Sequence, residues 1–189
     1  MSTLETPLRG AAVRDAVLAS ARELFDAHGI RAVSADRVIA AAGISKVTFY
    51  RHFPSKDDLV VAYLEEELER VHAALRRRDG APATVDEAAA MIADELCRPG
   101  FRGCPFINAA AEYADPDHPV RAVVARFREW MTDVIAAWLG TQGVQDRAVA
   151  EQIMMLRDGA LVAGYLDGDP AMVAQRLAAG MTMLVGGGR

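Results

Sequence analysis

Apolar residues recur along this chain at three- and four-residue intervals, the spacing that gathers side chains on one face of an α-helix. From Val13 the stripe runs through Val17, Leu18, Ala21, Leu24 and Phe25 and stops at His28-Gly29, where glycine suits a helix C-terminus. Ser34 is an N-cap for a short helix to about Ala41, with Asp36 facing the positive end of its dipole. Gly43 breaks that helix, and Ser45 caps another over roughly Lys46 to His52. Ser55 with Asp58 resembles a capping box and opens a longer helix striped by Val60, Leu64, Leu68, Val71 and Leu75. Arg76, Arg77 and Arg78 suit the negative end of that helix and read as a solvated terminus.

Beyond the linker at Gly80-Ala81-Pro82 the same period continues. Thr84 caps a helix to about Leu96, and another spans Pro105 to Tyr113. The clearest stripe is Val120, Val123, Val124, Phe127, Met131, Val134, Ile135 and Trp138. A helix from about Asp146 to Tyr165 follows, then a last one to about Val185, with Gly186 to Gly188 expected to fray. Strand signals are weak throughout. The pattern predicts an all-α chain of about nine helices.

Composition adds three constraints. Of the 189 residues, 52% are hydrophobic, but no apolar run is long enough to span a bilayer. The N-terminal residues lack a secretory pattern, and Cys97 and Cys104 are too few for a disulfide framework, so the expected compartment is the cytoplasm. Net charge is −5, yet residues 1–58 carry eight Lys/Arg against seven Asp/Glu, leaving the acidic excess to residues 59–189. A basic surface confined to the N-terminal part fits a phosphate-bearing partner, and an acidic body disfavours nonspecific contacts.

The helix pair separated by Gly43 has the form of a helix-turn-helix. The second helix of such a pair enters a major groove about 12 Å wide. Helical geometry puts Lys46 and Tyr50 on one face with Val47 and Arg51 beside them, while Phe49 and Phe53 turn toward Phe25 and Val38. The alternative is a small three-helix unit with merely solvated cations.

The stretch from Ser34 to Leu59, with its FYRHFPSK core, closely resembles the N-terminal domain of TetR-family regulators, and Ala21 to Gly29 matches that family's first helix. The resemblance implies double-stranded DNA, a palindromic operator, as partner. Lys46, Val47 and Thr48 would begin the recognition helix, capped by Ser45. Tyr50, His52, Ser34 and Lys56 would hold phosphates, Arg51 would reach bases or phosphate, and Arg37 is a further phosphate candidate. Two positions depart from the family pattern. Ile39 stands where a small alanine is usual, predicting a wider helix crossing, and Val47 replaces a frequent glycine, adding a group that could meet a thymine methyl.

The resemblance also divides the chain into a DNA-binding domain over 1–58 and a sensing and dimerisation domain over 59–189. A homodimer would be built from Leu156, Ala160, Ala163 and Gly164 on one helix and Val173, Leu177, Gly180, Met181 and Leu184 on the next. Those stripes would equally pack into a monomer core. A small-molecule effector would meet a cavity lined by Phe101, Phe106, Phe127, Trp130, Met131, Trp138, Met154 and Met155, residues that would equally form plain core. Cys104, Asn108 and Glu112 share one helix face and could add thiol, amide and carboxylate, or could simply serve packing and backbone needs. No cofactor or metal is implied. The histidines (28, 52, 72, 118) are scattered, and nothing pairs a nucleophile with a base, so an α-helical enzyme is the weaker reading. A helical binding protein without DNA affinity is a third.

Overall fold

The computed structural model describes residues 10–78, 80–96, 101–167 and 169–188. Among them are nine helices and no strand: α1 (Ala11–His28), α2 (Ala35–Ala41), α3 (Lys46–His52), α4 (Lys56–Arg76), α5 (Val85–Leu96), α6 (Pro105–Glu112), α7 (Pro119–Thr141), α8 (Arg147–Asp167) and α9 (Pro170–Gly187). Capping sets the early boundaries. Ser34 Oγ accepts the Arg37 amide at 3.2 Å, Ser45 Oγ the Thr48 amide at 3.1 Å, and Ser55 Oγ the Asp58 amide at 3.1 Å. Each serine satisfies a donor that its helix leaves open, a gain of about 1 kcal/mol. Gly43 turns the chain between α2 and α3 at φ +64°, a region that side chains with a Cβ avoid.

The head is a three-helix unit on which α4 closes. Phe49, Phe53, Phe25, Val38 and Leu59 are buried together, and Phe25 meets Tyr63 of α4 edge-on at 5.3 Å between centroids. Ile39 fills that core at 6% exposure, so its extra bulk is absorbed inside the head. α4 runs on into the body and packs on α7 and α6. There α7 lies on α8, and α5 packs against both α8 and α9.

Two expectations change. The glycine tail does not fray: α9 continues through Gly187, and a Cβ at Gly188 would come within 3.1 Å of Val144 and 3.2 Å of Val149. Tertiary packing on the α7–α8 turn outweighs the low helix propensity of glycine. The second concerns α9, whose stripe Val173, Leu177, Met181 and Val185 is buried inside the single chain.

Candidate nucleic-acid interface

α3 presents side chains that the chain itself leaves uncovered. Val47 is 72% exposed and Tyr50 47% exposed, although both are large and largely apolar. Phe49 between them is fully buried and holds the Tyr50 ring edge-on at 5.2 Å. Thr48 is tied down by its hydroxyl, 2.9 Å from Ser45 Oγ. Arg51 is exposed and His52 partly so.

Lys46 Nζ lies 2.8 Å from Asp36 Oδ1, and that hydrogen bond and charge hold the lysine more firmly protonated. Asp36 belongs to the first turn of α2, so the pair fastens the start of α3 to the turn that Ser34 caps. Arg37 reaches across the same region, its Nη2 2.6 Å from His28 Nε2. Lys56 donates to the Arg31 carbonyl at 3.4 Å, and partial burial lowers its pKa against the opposite pull of Glu112 and Asp57. Helical periodicity alone does not reveal Asp36 as the partner of Lys46.

Glu112 and Asn108 do not converge on an effector pocket with Cys104. Glu112 turns toward the head, where Oε1 accepts the Ile30 amide at 3.2 Å and Oε2 the Arg31 amide. Two backbone donors following α1 outcompete any distant use of that carboxylate, because the part-buried Ile30 amide would otherwise lack a partner. Asn108 donates to the Arg102 carbonyl at 3.0 Å and lines a polar cavity of about 130 Å³ with Asp26, Tyr63, Glu67 and Arg102. Cys104 is buried at the start of α6, and burial pushes its thiol pKa up, only partly offset by the nearby Arg157 guanidinium. Such a thiol resists oxidation. Cys97 lies outside the described residues.

A second contact binds the body to the head. Asp57, in the first turn of α4, accepts the Tyr113 hydroxyl at 2.9 Å and faces His118 Nε2 at 3.3 Å. The two rings stack at 4.6 Å, and His118 Nδ1 accepts the Val120 amide at the start of α7. Among the described residues no group of three or more His, Cys, Asp or Glu could hold a metal ion. Among the described residues no helix is long and apolar enough to cross a membrane.

In the body, Phe127 and Met154 are buried, and Trp130 and Met131 pack partly buried against the same core. Phe106 stacks on Phe127 at 3.9 Å with the rings nearly parallel. Met155 leaves this group: it is 69% exposed on the far side of α8. Trp138 spends its indole N–H on the Pro82 carbonyl at 2.9 Å. An unforeseen charge sits here. Arg157 is 6% exposed within this core, its guanidinium 5.4 Å from the Phe127 ring centroid.

The outer faces of α8 and α9 enclose a groove of about 610 Å³, lined by Met155, Leu156, Ala163, Arg176, Gly180 and Met183. Leu184 borders it, Gly164 is partly exposed, and Ala160 is 8% exposed at its floor. Val173 and Leu177, each 4% exposed, and Met181, 1% exposed, spend their side chains mainly on the monomer core. Val162, Tyr165, Leu166 and Met183 supply apolar surface that the stripe reading missed.

Comparison with known proteins gives one consistent picture. Residues 17–63 match the family described as bacterial regulatory proteins, tetR family. The crystal structure of SCO4454, a TetR-family transcriptional regulator from Streptomyces coelicolor, is 36% identical with a TM-score of 0.84, covering 93% of this chain and 95% of that one. A TetR transcriptional regulator from Chloroflexus aurantiacus is 26% identical with a TM-score of 0.72, covering 92% of each chain. The HTH-type transcriptional regulator EthR of Mycobacterium tuberculosis is 34% identical over 71 residues, which is 38% of this chain. That match spans only a third (33%) of the relative's own length.

Proposed function

This chain belongs to the TetR family of DNA-binding, non-enzymatic transcriptional regulators, and on that premise we propose that it is a repressor. It binds a palindromic operator as a homodimer in the cytoplasm and leaves it when a small molecule occupies the helical body. The observation that carries this reading is the uncovered face of α3, where Val47 and Tyr50 stand exposed beside Lys46 on a rigidly capped helix. A large apolar side chain in water is costly unless a partner covers it. A base edge or thymine methyl is such a partner.

In this reading residues 1–58 are the DNA-binding domain and 59–189 the sensing and dimerisation domain. Lys46, Val47, Thr48 and Arg51 meet base edges or adjacent phosphates. Tyr50, His52, Ser34, Arg37 and Lys56 hold the backbone, with Ser45 fixing the helix start. On operator binding Lys46 exchanges Asp36 for phosphate, so the free protein holds that side chain near its bound position. The groove between α8 and α9 is covered by the same groove of a second copy. The pairing sets the two α3 helices about 34–36 Å apart, one helical turn of DNA.

Selection of bound sequences from random DNA tests the proposal. The expected result is a palindrome of roughly 15–30 base pairs, bound with steep salt dependence. A folded dimer that enriches no palindrome would overturn it.

A further inference from the structure

Arg157 and Thr132 stand out among the described residues as polar side chains buried in the core, and only Arg157 carries a charge. It occupies the apolar stripe of α8, between Ile153 and Met154 on one turn and Ala160 and Leu161 on the next, all of them buried. Removing a guanidinium from water costs several kcal/mol, which only well-made ion pairs recover. Here the pairing is loose. Nη1 donates to Asp158 Oδ1 at 3.2 Å, but Asp158 is shared with Arg128 on α7. Glu95 Oε2 on α5 stands 3.6 Å from Nη2, beyond a good hydrogen bond, and Glu95 is itself a third exposed (34%).

Aromatic rings continue from the guanidinium. Arg157 lies 5.4 Å from the Phe127 centroid, Phe127 is 6.4 Å from Trp130, and Trp130 is 4.1 Å from His72 of α4. At the far end of that row His72 Nε2 is buried without a hydrogen-bond partner. A buried cation stands at one end and an orphaned imidazole nitrogen at the other, and the rings between them are packed on one another and on Phe106, so a ligand ring enters this row only by parting Phe127 from Phe106. The row suits a ligand with an anionic head and an aromatic body.

We propose that Arg157 is the anion-binding group of the effector site and that the effector is an aryl or arylalkyl carboxylate. The inference rests on the ligand-responsive reading above. The carboxylate takes the place of Glu95 on Arg157 in bidentate geometry, and Glu95 withdraws from the guanidinium. The ring lies against Phe127 and Trp130, and a polar substituent at its far end reaches His72 Nε2. Exchange of one carboxylate for another leaves the charge of the core unchanged, so occupancy does not add a buried ion.

Calorimetric titration of the full-length protein with benzoate, phenylacetate and 3-phenylpropionate, each beside its primary amide, tests this. At least one acid should bind, with its amide weaker by about tenfold or more, since the guanidinium loses its charged partner. Arg157→Met should abolish that binding while raising or preserving thermal stability, because an apolar side chain of similar length replaces a poorly compensated ion. Glu95→Gln should tighten it severalfold by removing the charge that competes for Arg157, and this variant carries the test if Arg157→Met fails to fold. Binding of none of the three acids, equal binding of acid and amide, or affinity unchanged in Glu95→Gln would overturn the assignment. Failure is separable from that of the repressor reading: a protein that selects a palindrome but ignores the acids loses only Arg157, whereas one that binds the acids but selects no DNA loses only the repressor role.

Discussion

Replacing Glu112 by alanine removes the two hydrogen bonds by which the end of α6 holds the segment after α1. Ile30 N–H and Arg31 N–H both point at this carboxylate, and Ile30 itself is 3% exposed. A hydrogen bond to a charged acceptor contributes about 1.5–3 kcal/mol when buried. The Arg31 bond is exposed and rehydrates on loss, so most of the cost falls on the part-buried Ile30 donor. The expected loss is therefore about 2 kcal/mol. For a chain of this size each kcal/mol lowers Tm by about 2–4 °C, giving a drop of about 4–8 °C. Scanning calorimetry at one fixed protein concentration measures it, since the proposed dimerisation would make Tm concentration-dependent. Hydrogen exchange adds a local readout, because the Ile30 and Arg31 amides should exchange faster while those of α8 do not. Glu112→Gln should fall between, as its amide oxygen can accept one N–H while its NH₂ opposes the other. A Tm within about 1 °C of wild type, with unchanged exchange at both amides, would refute the reasoning.

Further outcomes follow from the same geometry. Lys46→Ala should weaken operator binding and lower the salt slope by about one per half-site, whereas Tyr50→Ala should weaken binding by about tenfold or more with Tm little changed; mobility shift at several salt concentrations reads both. Met183→Glu puts a carboxylate on the exposed wall of the α8–α9 groove and should yield monomers in analytical ultracentrifugation without unfolding them. Because burial raises the folded Cys104 pKa, the thiol's contribution is intact below the ordinary value of about 8.5 and is lost as pH climbs above it, so Cys104→Ala should flatten the decline of Tm between about pH 8 and 10. Tyr113→Phe removes the bond to Asp57 and should lower Tm by about 2–4 °C; unchanged stability would show that this bond does not help hold body to head.

The head was legible because its determinants are local. Ser34, Ser45 and Ser55 each act three residues ahead, and Phe49 and Phe53 face inward by helical period alone. The choice between the two readings of Glu112 was not legible for the opposite reason: its partner Ile30 is 82 residues away, and an i, i+4, i+8 spacing says which residues share a face but not what that face meets. α9 shows a related failure. It is apolar on two sides, so periodicity could not tell that Val173, Leu177 and Met181 turn inward while Met183 turns out. The glycine tail was misjudged because propensity is weak beside the contacts of Gly188 with Val144 and Val149. Arg157 was in plain view, a charge on an otherwise apolar stripe, and that break in the pattern was the signal available.

The placement of α6 explains how an event in the body can reach the DNA. At its first turn Phe106 stacks on Phe127 and Cys104 lies near Arg157. At its last residue Glu112 holds the segment after α1, and the next residue, Tyr113, holds Asp57 beside Lys56. Eight helical residues span about 12 Å, too short to bend appreciably. A displacement at Phe106 is therefore delivered to the far end of α6 rather than absorbed along it. There it meets the two points that position Arg31 and Lys56, both close to the phosphate-binding edge proposed for the head. Coupling of this kind needs a ligand that distinguishes two arrangements, since equal affinity for both would shift nothing. The proposed exchange of Glu95 for a ligand carboxylate on Arg157 would supply that difference, because only the occupied body must part Phe127 from its present neighbours to admit a ring.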